Sequence, residues 1–102
     1  MVVFKRESSL EAILKFLTEH KEEMGKRFSV RRIGLFGSYL HGEAHEQSDV
    51  DILVELDRHT FDDYMNLKFF LEEGLGRPVD LVLADALKPR IKPSILKEVR
   101  FV

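Results

Sequence analysis

The stretch Gly37-Ser38-Tyr39-Leu40-His41-Gly42-Glu43-Ala44-His45-Glu46-Gln47-Ser48-Asp49-Val50-Asp51-Ile52-Leu53-Val54-Glu55-Leu56 sets a Gly-Ser turn ten residues ahead of an Asp-x-Asp pair. The preceding run, Phe28 to Phe36, has the β-branched and aromatic content of a strand that ends at Gly37. Residues Ser48 to Leu56 alternate cleanly. Val50, Ile52, Val54 and Leu56 fall on one face, and Asp49, Asp51, Leu53 and Glu55 on the other. The first set reads as core-facing, which leaves both aspartates together on the opposite side of the strand.

Two ionised carboxylates two positions apart on a strand repel. A proton, a cationic side chain or a metal ion relieves that repulsion. The nearest basic residue in sequence is Arg58, beyond the strand end. A hard divalent cation such as Mg²⁺, which favours carboxylate oxygen and keeps open positions for phosphate, is the natural third party. A third strand, Pro78 to Leu83, turns Val79, Leu81 and Leu83 to one face and leaves Asp80 with Val82 on the other. If it pairs beside Ser48–Leu56 with the core faces aligned, Asp80 joins Asp49 and Asp51. Three carboxylates on one sheet face can form a two-metal site for in-line phosphoryl displacement.

Gly37 lets the backbone approach a phosphate, and Ser38 can start a short helix over Tyr39–Gly42 whose first amides face the anion. Gly42 ends that turn and polar Glu43 to Gln47 loop back to the carboxylate strand. Each residue also has a plain structural reading. Asp49 could cap a strand start, Asp51 could face solvent, Asp80 could pair with Arg77, and Ser38 could cap its turn. Their combination at this spacing favours the site.

Working outward, Ser8 and Glu11 have capping-box spacing. Leu10, Ile13, Leu14, Leu17 and Met24 recur at helical spacing, which predicts a helix over Ser9–Lys26. Thr60 caps a second helix, Thr60 to Glu73, with Phe61, Tyr64, Leu67, Leu71 and Leu75 on its apolar stripe and Gly74 and Gly76 at its end. Met65, Phe69 and Phe70 widen that apolar surface, enough for part of it to meet another chain. Asp85 can cap a final helical segment that Pro93 breaks and restarts, with Ile91, Ile95, Leu96 and Val99 as its apolar side. Arg31 and Arg32 read as strand-edge charges, His20 and His59 as surface residues, and His41 as an exposed turn residue within reach of a bound phosphate. The order α-β-(short α)-β-α-β-α predicts one α/β (α+β) domain over 1–102 with a small mixed sheet flanked by helices.

Bulk composition restricts the function classes. Hydrophobic residues make up 44% and charged residues 33%, as in a folded globular chain. A formal net charge of −2 provides no basic field for nucleic acid, although Lys88, Arg90, Lys92 and Lys97 cluster near the C-terminus. No apolar run has the length of a membrane span and no signal-peptide pattern is present, so a cytoplasmic protein is expected. The absence of cysteine excludes disulfides and thiolate metal sites.

Gly37, Ser38, Asp49, Asp51 and Asp80 together resemble the nucleotidyltransferase superfamily of the DNA polymerase β type. Over its whole length the chain is similar to the minimal nucleotidyltransferases, most specifically across Ile33–Glu55, where the family shows runs like LFGSxARGxAxxxSDIDLLVE. The resemblance implies a polymerase β palm-like fold and Mg²⁺-dependent transfer of a nucleoside monophosphate, with ATP as the expected donor. Asp49 and Asp51 would hold two metal ions, Asp80 would complete the site and help deprotonate the acceptor hydroxyl, and Gly37 and Ser38 would hold the β- and γ-phosphates. The family also implies a partner, a helical HEPN-domain toxin neutralised by this chain as antitoxin, through adenylylation or through binding alone. Transfer to a small molecule such as an aminoglycoside is a third reading, and it would require a dimer. Tyr39 and His41 depart from the family, which often has arginine there, and a weaker phosphate contact is the expected consequence.

Overall fold

The apolar runs fold into a four-stranded sheet with helices on its inner face; the computed structural model describes residues 10–42, 49–58 and 60–102. In chain order the elements are α1 (Leu10–Glu19), α2 (Lys21–Phe28), β1 (Val30–Phe36), β2 (Val50–Leu56), α3 (Phe61–Leu75), β3 (Val79–Leu83), a 3₁₀ turn (Ala84–Ala86), α4 (Lys92–Glu98) and β4 (Arg100–Phe101). The strands lie in the order β3-β2-β1-β4. β1 runs antiparallel to both β2 and β4, and β2 runs parallel to β3, with α3 as the crossover a parallel pair requires. This is the small mixed sheet flanked by helices that the alternation predicts. No helix of the described residues is long and apolar enough to cross a membrane.

The core lies where the two periodicities meet. Val50, Ile52, Val54 and Leu56 are all buried against Ile33 and Leu35 of β1, Val79 and Leu81 of β3, and Ile13, Leu17, Met24, Phe28, Leu67 and Leu71 of the helices. Truncating one such side chain, Leu17→Ala for example, would cost about 2–5 kcal/mol through lost burial and the cavity left behind. α3 also finishes the sheet edge. The Val79 N–H donates to Glu72 (2.9 Å) and the Tyr64 hydroxyl donates to the Leu81 carbonyl (2.5 Å), so the outward backbone groups of β3 at these two residues find partners.

Several expectations are corrected. The single helix over Ser9–Lys26 is divided at His20 and runs on to Phe28. The His20 backbone N–H and the Nδ1 of its ring both contact the Phe16 carbonyl, at 3.1 and 2.9 Å, and this side-chain intrusion into the helical ladder accompanies the bend. His20 is therefore structural and half-buried, stacked on Phe16 at 4.2 Å and edge-on to Phe70 at 5.6 Å. Arg31 and Arg32 are exposed and lie on the part of β1 that β4 does not cover, as edge charges would; the sheet continues only past them, where β4 pairs with Gly34 and Leu35. That two-residue strand carries too little sequence pattern to be foreseen. Pro93 lies in the first turn of α4, where a missing N–H costs nothing, and does not break the helix. Asp85 lies inside the 3₁₀ turn rather than at a helix cap.

α3 is confirmed, with Thr60 Oγ1 accepting from the Asp63 N–H at 3.1 Å. Gly74 lies within the helix, and Gly76 takes the left-handed conformation that ends it. Phe61, assigned to the buried stripe, is instead 74% exposed, while Phe70 packs against the core. The proposed caps and turns at Ser8, Glu43–Gln47 and Ser48, and the surface placement of His59, lie outside the described residues.

Candidate active site

The strand register settles the placement of the acidic residues. In the parallel β2–β3 pair Asp51 stands directly opposite Asp80, as the alternation of two separate strands predicts. Asp49 lies two positions before Asp51, immediately ahead of the first β2 residue, and is exposed. On its other side Asp51 faces Phe36, the last residue of β1, so the Gly37-Ser38 turn begins beside the Asp51 carboxylate. Turn and acid pair therefore meet at one end of the outer sheet face.

The turn depends on Gly37. Its φ of +80° is left-handed, and a Cβ at that position would overlap the Asp51 carboxylate. With no side chain in the way, the Ser38 N–H donates to Asp51. The Gly37 carbonyl then accepts from Leu40 N–H (3.1 Å) and His41 N–H (3.2 Å), closing a turn rather than the short helix predicted over Tyr39–Gly42.

Asp51 carries the electrostatic tension of the site. Burial pushes its pKa upward, the Asp80 charge pushes the same way, and Asp49 adds to both; the Ser38 N–H opposes them. Among the described residues, no group of three or more His, Asp or Glu side chains is placed to hold a metal ion. Neighbouring carboxylate oxygens of like charge are the chemistry that a hard divalent cation favours.

Two residues add to the expected picture here. Tyr39 points into the core, 7% exposed, with the Arg77 guanidinium 5.8 Å from its ring, so its side chain is not directed at a phosphate. Sequence reading missed Glu98, from the end of α4. Its Oε2 accepts from the Gly37 N–H at 3.4 Å and lies 3.3 Å from His41 Nε2. The only sequence signal was an acidic residue in a basic terminal helix, and a separation of 61 residues hid its contact with the turn.

Comparison with known proteins identifies the family. A family model described as nucleotidyltransferase domain matches residues 17–102. Protein adenylyltransferase MntA of Thermococcus cleftensis is 47% identical over 95 residues, covering 92% of this chain and 96% of that one. A solved structure provisionally described as a minimal nucleotidyltransferase superposes with a TM-score of 0.71 at 36% identity, covering 85% of this chain and 93% of that chain. The complex of a tri-AMPylated Shewanella oneidensis HEPN toxin with its MNT antitoxin gives a TM-score of 0.59 at 19% identity, covering 85% and 69%. At that identity the likeness speaks to the fold alone.

Proposed function

Because this chain belongs to the nucleotidyltransferase domain family, we propose that it moves AMP from ATP to a hydroxyl on a protein partner, a helical HEPN-type toxin, and so acts as its antitoxin. The observation that carries this reading is the register pair Asp51–Asp80 beside the Gly37-Ser38 turn. The turn binds the triphosphate tail through the Ser38 hydroxyl and the close approach that Gly37, lacking a side chain, allows. Asp49, Asp51 and Asp80 would hold magnesium, which would supply charge neutralisation for the phosphates and the developing oxyanions. Asp80 takes the proton of the acceptor hydroxyl as the hydroxyl oxygen bonds to the α-phosphorus. The bond from the α-phosphorus to pyrophosphate breaks in the same displacement. Asp51, held by the Ser38 N–H, keeps turn and carboxylates in one frame.

Incubation with labelled ATP, Mg²⁺ and the partner is expected to label the partner, and Asp49→Asn with Asp51→Asn is expected to abolish labelling. Persistent labelling in the double variant overturns the mechanism. A second reading, neutralisation by binding alone, draws on Phe61 and Phe69 of α3, which are 74% and 56% exposed. In that case the aspartate double variant still neutralises the toxin, whereas Phe61→Ser with Phe69→Ser does not.

A further inference from the structure

We propose that Glu98 is a positioning residue of the nucleotide site, a clamp by which the C-terminal segment holds the Gly-Ser turn in its phosphate-receiving form. The inference rests on the nucleotide-binding role proposed for that turn. One carboxylate oxygen of Glu98 reaches both ends of the turn, the Gly37 N–H at 3.4 Å and His41 Nε2 at 3.3 Å. The turn is thus gripped by two acids on consecutive amides: Glu98 takes the Gly37 N–H and Asp51 takes the Ser38 N–H. With both occupied and the Gly37 carbonyl engaged by Leu40 and His41, little conformational freedom remains in the turn.

Glu98 is itself held in place by the sheet. It ends α4, and the next residues form β4, which pairs Arg100 with Leu35 and Phe101 with Gly34. The Val102 N–H adds a bond to the Ile33 carbonyl at 3.0 Å. β1 accepts this segment at close range: a Cβ on Gly34 would lie 2.7 Å from the Arg100 carbonyl and 2.9 Å from Val99 Cγ2. The strand that delivers the turn therefore also anchors the clamp. Preorganising a binding loop raises affinity by removing the ordering cost at the moment of binding. Loss of Glu98 should accordingly weaken nucleotide binding without touching the reacting atoms.

The test measures affinity for a non-hydrolysable ATP analogue with Mg²⁺, alongside KM and kcat for transfer, in Glu98→Ala, Glu98→Gln and Glu98→Asp. Glu98→Ala is expected to weaken analogue binding and raise KM about tenfold, the scale of one charge-assisted hydrogen bond, with kcat nearly unchanged. Glu98→Gln keeps an acceptor oxygen at the same reach and is expected to restore affinity to within about threefold. Glu98→Asp keeps the charge but shortens the arm, and is expected to bind more weakly than Glu98→Gln. Unchanged affinity in Glu98→Ala overturns the proposal. Tighter binding in both Glu98→Ala and Glu98→Gln overturns it as well, since the carboxylate would then be competing with phosphate. Should Glu98→Ala fail to fold, the order of Glu98→Gln and Glu98→Asp decides: aspartate binding as tightly as glutamine, or more tightly, refutes the clamp. Failure of the parent protein to bind the analogue refutes the nucleotide-binding reading instead, so the two failures are distinguishable.

Discussion

Asp51 and Glu55 lie on the same strand and the same outer face, four residues apart, yet their surroundings are opposite. Glu55 stands across from Arg32, whose guanidinium reaches it at 2.9 Å and also lies over the Phe101 ring at 3.9 Å. Asp51 stands across from Asp80, with Asp49 beside it, and its pKa is raised, first by burial and then by these charges. One end of the face is electrostatically satisfied and the other is held in tension. A fold gains nothing in stability from an unrelieved acid pair. The carboxylates that repel are therefore the ones with work to do, while the paired one is structural.

The contrast can be broken most severely in activity. Asp51→Asn is expected to lower transfer by about 10³-fold or more, the scale of several kcal/mol of charge stabilisation, whereas Glu55→Gln should leave the rate within about twofold; steady-state rates with labelled ATP check both. Gly37→Ala comes next. The added Cβ forces Asp51 away from a left-handed turn, so a loss of about 2 kcal/mol is expected, read as a fall of roughly 10 °C in Tm together with lost nucleotide binding.

A smaller effect runs the opposite way. Asp51→Asn removes the repulsion, so without magnesium the variant should melt a few degrees above the parent at neutral pH. The folded state holds the Asp51 proton more tightly than the unfolded state does. The destabilisation is therefore absent below the unfolded value of about 3.9 and complete once pH passes the raised folded value. Melting curves across that window should show the two proteins converging in acid, and parallel curves would refute the assignment. The smallest effect belongs to the satisfied end. Arg32 and Glu55 are partly solvated, so a double-mutant cycle of Arg32→Ala and Glu55→Ala should give a coupling of no more than about 1 kcal/mol.

How far these regions were legible depended on the range of the physics involved. The strand bearing Asp51 was readable because period-two alternation is a local property, and the same property placed Asp80 on the matching face of another strand. Thr60 and Gly76 marked the limits of α3 by short-range capping. Leu53 shows where such reading stops. It was placed on the outer face with the aspartates, and it is fully buried there, outside the main core cluster. The C-terminal segment packs on β1 at Gly34, the residue opposite Leu53, and gives that stretch of the outer face an apolar cover no local pattern announces. Phe61 failed in the other direction, lying on the helical stripe yet beyond the edge of what the sheet covers.

The Gly-Ser turn, the Asp-x-Asp strand and the distance between them were determined by the sequence alone, since each is a matter of neighbours along the chain. Tertiary structure alone decided that Asp80 faces Asp51 in register, that Tyr39 turns inward, and that Glu98 reaches back to Gly37. The physical reason is the same in all three. Pairing register and packing depend on contacts between segments tens of residues apart, and a one-residue slip of β3 would send Asp80 to the other face of the sheet.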